Sequence, residues 1–353
     1  MEPSTPPSEP APIVVSVPTP VNQQPWPRLI YLFLAGAGYG LLMRAVFMLP
    51  LFKHSSSGSA SGAMLASFLF LVPLVIGLLT VYRLAPAQRT WGRALILPWV
   101  PTLLFVAGTA VLLIEGSICI VMALPIFLAT ASFGGLVMWA VMKFSAPPKS
   151  AMSAFLALPL LAGLYERDIP LRDVRQGSDA SVHISAQPHA IWQLINQAQD
   201  IAPAEMADGW AYRIGVPHPL EAVTVDTAAG RVRKLRWEQG VHFDEPILDW
   251  DENHYIRWRY EFAADSIPAG ALDEHVAVGG RYFDLIDTSY TLDPDGDGTR
   301  LSIHVTYRVS TGFNWYAARL ARWLVDDSAR TILAFYKRRC EGGPSLAAVR
   351  HAG

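Results

Sequence analysis

The chain has 353 residues, 52% hydrophobic and only 16% charged, against about 25% charged in an average soluble domain. Its formal net charge of −2 supplies no general attraction to nucleic acid or anionic lipid. The two cysteines, Cys119 and Cys340, cannot build a disulfide framework and lack metal-site spacing.

The charge deficit is uneven. Residues 29–164 carry few charges, whereas 166–341 have the charge density of an ordinary globular domain. This divides the chain into a membrane half and a soluble half. Residues 1–27, rich in Pro, Ser, Thr and Gln, cannot bury enough apolar surface to offset their ordering entropy, so a disordered tail is expected. They also lack the basic start of a secretory signal.

The transmembrane domain is expected over 28–165. Its spans are placed at about 29–51, 63–82, 94–114, 118–142 and 150–165, given that a bilayer crossing needs about 20 apolar residues. The central run Ala94–Met142 contains one charged residue, Glu115. It is too long for one crossing and suits a helical hairpin turning at Glu115-Gly116-Ser117. Lys53-His54 and the Ser/Gly run to Gly62 read as a flexible loop. Ala151–Leu164 is short and contains Pro159, so it is either a fifth crossing, the preferred reading, or a helix in the interface.

Arg83, Arg89 and Arg93 after the second span, and Lys143 and Lys149 after the fourth, orient the N-terminus to the cytoplasm. Five spans then place the C-terminal domain in the periplasm of a bacterial inner membrane; four leave it in the cytoplasm. Arg44 lies about 22 Å into the first span at 1.5 Å per residue. Pairing with Glu115 would relieve the cost of both intramembrane charges.

From Ser178 onward the period changes to two. Val182–Ala186 reads as a strand, Pro188 opens a helix, and Pro203–Ala207 is a second short one. Six strands follow, at 220–226, 231–239, 241–250, 254–262, 281–292 and 300–309. A helix over Asn314–Glu341 carries Arg319, Arg322, Asp326, Arg330 and Lys337 on one stripe and Leu320, Leu324, Thr331 and Phe335 on another side. Residues 342–353 read as a flexible tail. The expected fold class is therefore an all-α membrane half with four or five transmembrane helices, followed by a soluble α+β domain over 178–341. There an antiparallel seven-stranded sheet grips the long C-terminal helix.

This element order, with the opening Val182–Trp192 (VHISAQPHAIW), resembles the START-like helix-grip (SRPBCC) superfamily, particularly the polyketide cyclase/dehydrase group. The resemblance covers Ser178 to about Glu341 and leaves the membrane half unassigned. It implies a cavity between sheet and helix. Members include lipid carriers, receptors, cyclases and hydrolases, so the fold does not select a function.

Strand parity describes the expected cavity wall. Ile256, Trp258, Tyr260 and Phe262 share one face, as do Leu301, Ile303, Val305, Tyr307 and Val309; Trp237 shares a face with Leu235. In 281–292 the parity is ambiguous between Tyr282, Ile286 and Tyr290 and the alternative Phe283 and Leu285. The candidate ligand contacts are Trp237, Trp258, Tyr260, Tyr282, Tyr290 and Tyr307. Asp284, of the same parity as Tyr282 and Tyr290, is the one candidate acid or base.

Asp293, Asp295, Asp297 and Gly298 mimic the start of a calcium loop, but His304 stands where a bidentate Glu is required. No hydrolase, P-loop or CxxC motif is present. His242, His254 and His304 lack a spacing that marks a catalytic base. The expected function is non-catalytic binding or sensing of a lipid-like ligand beside the bilayer, with no cofactor, metal or nucleic acid. The alternatives are a cyclase-like enzyme on a hydrophobic substrate, or an assembly protein with a filled core.

Overall fold

A computed structural model describes residues 26–52, 62–145, 147–228, 230–272 and 278–342 of the chain. The expected N-terminal tail before Trp26, the loop from Lys53 and the last eleven residues lie outside the described residues.

The first half is helical. It comprises α1 (Trp26–Phe47), α2 (Val72–Tyr82), α3 (Trp91–Ile96), α4 (Trp99–Val111), α5 (Ser117–Phe144) and α6 (Lys149–Glu166). A π-helical turn, Ser67–Leu71, leads into α2. Pro98 and Pro101 remove amide donors from one continuous apolar run, and α3 and α4 meet there. Pro27–Phe47, Trp91–Val111 and Ser117–Phe144 are long and apolar enough to cross a membrane. Four or five crossings are expected from the sequence; among the described residues three helices have that length and composition. The other two apolar helices, Ser67–Tyr82 and Ser150–Glu166, extend only about 25 Å at 1.5 Å per residue, less than a hydrocarbon core of about 30 Å.

The helices meet through glycine. A Cβ at Gly77 would lie 2.0 Å from the Ala131 carbonyl oxygen of α5, and one at Gly134 would lie 2.1 Å from that of Leu74 on α2. Backbone therefore packs on backbone, the arrangement small residues permit where water supplies no driving force between apolar helices. Glu166 at the end of α6 accepts from the amides of Ala66 and Ser67 at 2.6 and 2.7 Å. Its carboxylate thus caps the helical turn before α2.

The second half consists of β1 (Asp173–Ile184), α7 (Pro188–Asn196), β2 (Gln197–Ala198), α8 (Trp210–Arg213), β3 (Pro219–Thr227), β4 (Gly230–Trp237), β5 (His242–Asp251), β6 (Tyr255–Arg259), β7 (Phe283–Asp295), β8 (Gly298–Ser310) and α9 (Asn314–Cys340). One antiparallel sheet has the order β1-β8-β7-β6-β5-β4-β3-β2. Among the described residues it has eight strands rather than seven. The additional strand, β2, is a two-residue pairing with Ala222 and Val223, too short to carry a period. The first strand also starts at Asp173 and pairs with β8 along its whole length. Its polar first half masks the alternation that marks a strand.

Helix α9 lies against β1 and β8. Ser178 donates to Asp326 at 2.5 Å, and Lys337 donates to the His183 carbonyl at 2.7 Å. Its buried face is Ala317, Ala321, Val325, Ala329, Leu333 and Phe335. Leu320 and Leu324, expected on that face, are only half-buried. The two halves of the chain also touch. Tyr316 donates to the Met122 carbonyl at 2.7 Å, Ser117 to the Ile214 carbonyl at 2.6 Å, and Phe70 packs near Phe313 and Trp315.

Candidate ligand cavity

A cavity of about 350 Å³, within the range of roughly 300–1,000 Å³ typical of small-molecule sites, lies between the concave face of the sheet and α9 and extends into the helical half. The space exists because α9 turns Ala317, Ala321, Ser328 and Ala329 toward the sheet. Small side chains recurring on one helical face hold the helix in place without filling the gap. The opposite wall is aromatic. Phe243 lies 5.5 Å from Trp237 and 5.1 Å from Phe262 between ring centroids, and Trp258 lies 5.3 Å from Tyr290.

Trp237, Trp258, Tyr260, Tyr282 and Tyr290, all singled out from the sequence, line this cavity. Tyr307 does not. Its side chain is buried, with the hydroxyl donating to Gln176 at 3.0 Å and the ring near Phe283. Strand parity found its face, but contacts with β1 and β7 occupy the phenol.

The ambiguous parity of β7 has a structural cause. Leu285 pairs with Tyr307, but Asp287 pairs with Thr306, so the register shifts at Ile286. Such a bulge moves the inward face from one parity to the other. Phe283 and Leu285 line the cavity before it, and Thr288 and Tyr290 after it. Asp284 therefore falls on the outward parity and is absent from the lining. It lies 3.8 Å from Arg308, with its carboxyl raised above the ordinary value by partial burial against the pull of that arginine. The bulge separates Asp284 from Tyr290, and Tyr282, which lines the cavity, precedes β7.

The acidic group between sheet and α9 is Glu245, directly opposite Arg233 across the β4–β5 pair. Arg233 Nη1 donates to Glu245 at 2.5 Å, Nε to the Ile195 carbonyl at 3.2 Å, and Nη2 to the Tyr336 hydroxyl at 3.3 Å. Its guanidinium lies 4.9 Å from the Trp258 ring centroid, a cation–π distance. Both side chains are almost fully buried. Burial pushes the Glu245 carboxyl up to about 7, while adjacent Arg233 opposes the shift. The Tyr290 and Tyr336 phenols are raised by burial and stay neutral.

Neither residue was singled out from the sequence, although Arg233 has the parity of Leu235 and Trp237. An arginine on an inward face was the available signal. The indole nitrogen of Trp237 is a buried donor without a hydrogen-bond partner among the described residues, as a site awaiting an acceptor would have.

Other sequence candidates serve structure at the surface. His304 pairs with Asp179 at 2.6 Å and His254 with Asp251 at 3.1 Å. His242 faces the Gly240 carbonyl. Asp295 of the calcium-like loop contacts Arg300 and His183. No metal-ligand cluster occurs among the described residues.

The cavity continues into the helical half. Phe68, Phe105, Ile118, Met122 and Phe127 line it there, with Arg44 and Glu115, which form a salt bridge.

Solved structures similar to this chain include a START superfamily protein from Mycobacterium smegmatis, at 16% identity and TM-score 0.31, covering 47% of this chain and 97% of that one. The Zhui aromatase/cyclase from Streptomyces sp. R1128 matches at 12% and 0.30, covering 49% and 98%. A protein from Thermus thermophilus matches at 18% and 0.31, covering 48% and 100%. No curated protein matches the sequence. The family described as polyketide cyclase / dehydrase and lipid transport matches residues 175–341, in agreement with the START-like helix-grip assignment of the C-terminal half.

Proposed function

We propose that this protein is a membrane-anchored module that binds or senses a hydrophobic, lipid-like molecule in its helix-grip cavity without transforming it. The observation that carries this reading is the cavity's chemistry. Its wall is aromatic and aliphatic, its charged lining residues among the described residues are two ion pairs, and no histidine is among the described lining residues.

Anchoring is supported by the three helices of membrane-crossing length and by large apolar side chains exposed along them, Tyr31, Leu103, Leu104 and Phe133 among them. Such a surface is costly in water and suited to lipid. A tether also raises the effective concentration of a bilayer-partitioning ligand. The arrangement of helix ends supports the periplasmic reading of five crossings. The Glu115 turn, the start of the π turn and the end of α6 all gather against the C-terminal domain, and the basic loop residues lie at the other helix ends. Boundaries near 28–165 for the helical unit and 178–341 for the grip domain belong to the same proposal.

Native mass spectrometry of the full chain, released from detergent, tests the reading. An apolar species should accompany the wild type and be lost from Ala321→Trp, which fills the space between α9 and the sheet. A wild type that carries none, and takes up none from added lipid extract, overturns it.

A second reading, an enzyme acting on a hydrophobic substrate, draws on one observation. A carboxyl near 7 inside the cavity is matched to general acid–base work at neutral pH. Turnover that disappears in Glu245→Gln while ligand still binds would favour it over carriage.

A further inference from the structure

Arg44 stands on α1, 3% exposed, with Nε paired to Glu115 from the α4–α5 turn. Its Nη1 is buried and has no hydrogen-bond partner among the described residues. Leaving a charged donor unsatisfied in an apolar interior costs more than leaving a neutral one. Arg44 and Glu115 line the same continuous cavity as Trp237, Trp258 and the Arg233–Glu245 pair. The cavity is therefore shared between the two halves of the chain and carries a polar group in each.

We propose that the ligand is an uncharged amphipath that lies across both halves. Its acceptor oxygen (a hydroxyl or carbonyl) docks on Nη1 of Arg44, and its apolar body extends between α9 and the aromatic wall. The assignment rests on the ligand-binding reading above and adds the class of head group and the residue that reads it.

Charge excludes an acid. At the Arg44 end the charged side chains lining the cavity among the described residues are Arg44 and Glu115, a cation held by its own carboxylate. A carboxylate or phosphate entering this interior would bring a charge with no counter-ion to meet it, and burying such a charge is strongly unfavourable. A hydroxyl or carbonyl satisfies Nη1 without that cost. Phe68, Phe105 and Phe127, in mutual ring contact at 5.7–6.5 Å between centroids beside this end, offer apolar contact to the adjoining methylenes. Met122, Ala123 and Tyr316 join the two linings, so one ligand can touch both halves.

The test compares hexadecanol, hexadecanoate and hexadecane, at equal concentration, for binding to the full chain in detergent by competition native mass spectrometry. The wild type should take hexadecanol roughly tenfold or more over hexadecane, as expected of one hydrogen bond to a charged donor, and should disfavour hexadecanoate. In Arg44→Met/Glu115→Leu, which removes both charges together, alcohol and alkane should bind alike. Arg44→Lys, which keeps the charge but not the fork of donors, should lose most of the preference and guards against misfolding of the double variant. A wild type that binds all three alike or prefers the acid overturns the head-group assignment, as does a preference that survives in both variants. Failure of every probe to bind the wild type overturns the ligand-binding reading beneath it.

Discussion

Arg233 and Glu245 face each other across adjacent strands inside the cavity, joined at 2.5 Å and almost wholly removed from solvent. An ion pair placed on the inward face of a sheet costs more desolvation than an aliphatic pair of the same size, so its position there calls for a role beyond stability. Its bonds to the Ile195 carbonyl and Tyr336 tie α7 and α9 to the sheet.

Removing one partner should cost more than removing both. Arg233→Met leaves a buried carboxyl without its counter-charge and should destabilise the chain by about 3–5 kcal/mol at pH 8. Arg233→Met/Glu245→Leu should recover much of that loss. Denaturant titration in detergent followed by circular dichroism measures both.

The same pair sets a pH dependence. Glu245 titrates at about 7 in the folded chain against 4.5 ordinarily, so the folded state binds the proton more tightly. The associated stability is fully present below about pH 4.5 and is lost as pH rises through 7. The difference between pH 5 and pH 8 should approach about 3 kcal/mol, by the relation of about 1.4 kcal/mol per pKa unit. Glu245→Gln should flatten that slope, and an unchanged slope in the variant would contradict the assignment.

Asp284 should be dispensable for binding. Facing Arg308 outside the cavity, it can be replaced by Asn with less than about a twofold change in affinity for hexadecanol, because the substitution removes no contact from the lining. Trp258→Ala, which removes a fully enclosed wall residue, should weaken the same binding by roughly tenfold or more, read by the same mass spectrometric competition.

Helix contact at Gly77 and Gly134 should tolerate no side chain. Gly134→Leu places atoms where the Leu74 carbonyl already lies and should force α2 from α5, lowering the melting temperature of the detergent-solubilised chain by several degrees. Gly38, with open space around its Cβ position, provides the control: Gly38→Ala should leave the melting temperature unchanged or slightly higher.

Much of the architecture was legible because it depends on local periodicity. The alternation of Ile256, Trp258 and Tyr260, and that of Leu301, Ile303 and Val305, identified inward faces that the structure turns toward α9. It failed where the period was interrupted. At Ile286 one extra residue reverses parity, which moved Asp284 out of the cavity and allowed Phe283 and Tyr290 to share it. It was also silent where an element is too short to have a period, as with Gln197–Ala198.

The sequence by itself determined that a run of apolar helices precedes an antiparallel sheet and a final helix, because hydrophobic spacing and turn residues act over a few neighbours. It also singled out Arg44 and Glu115 as charges in an apolar setting. Their pairing across 71 positions was anticipated from their charges; only the tertiary structure decided that they meet at one end of a cavity whose other polar pair comes from β4 and β5. Contacts between distant segments depend on register, helix crossing and the small side chains of α9, none of which a local pattern encodes.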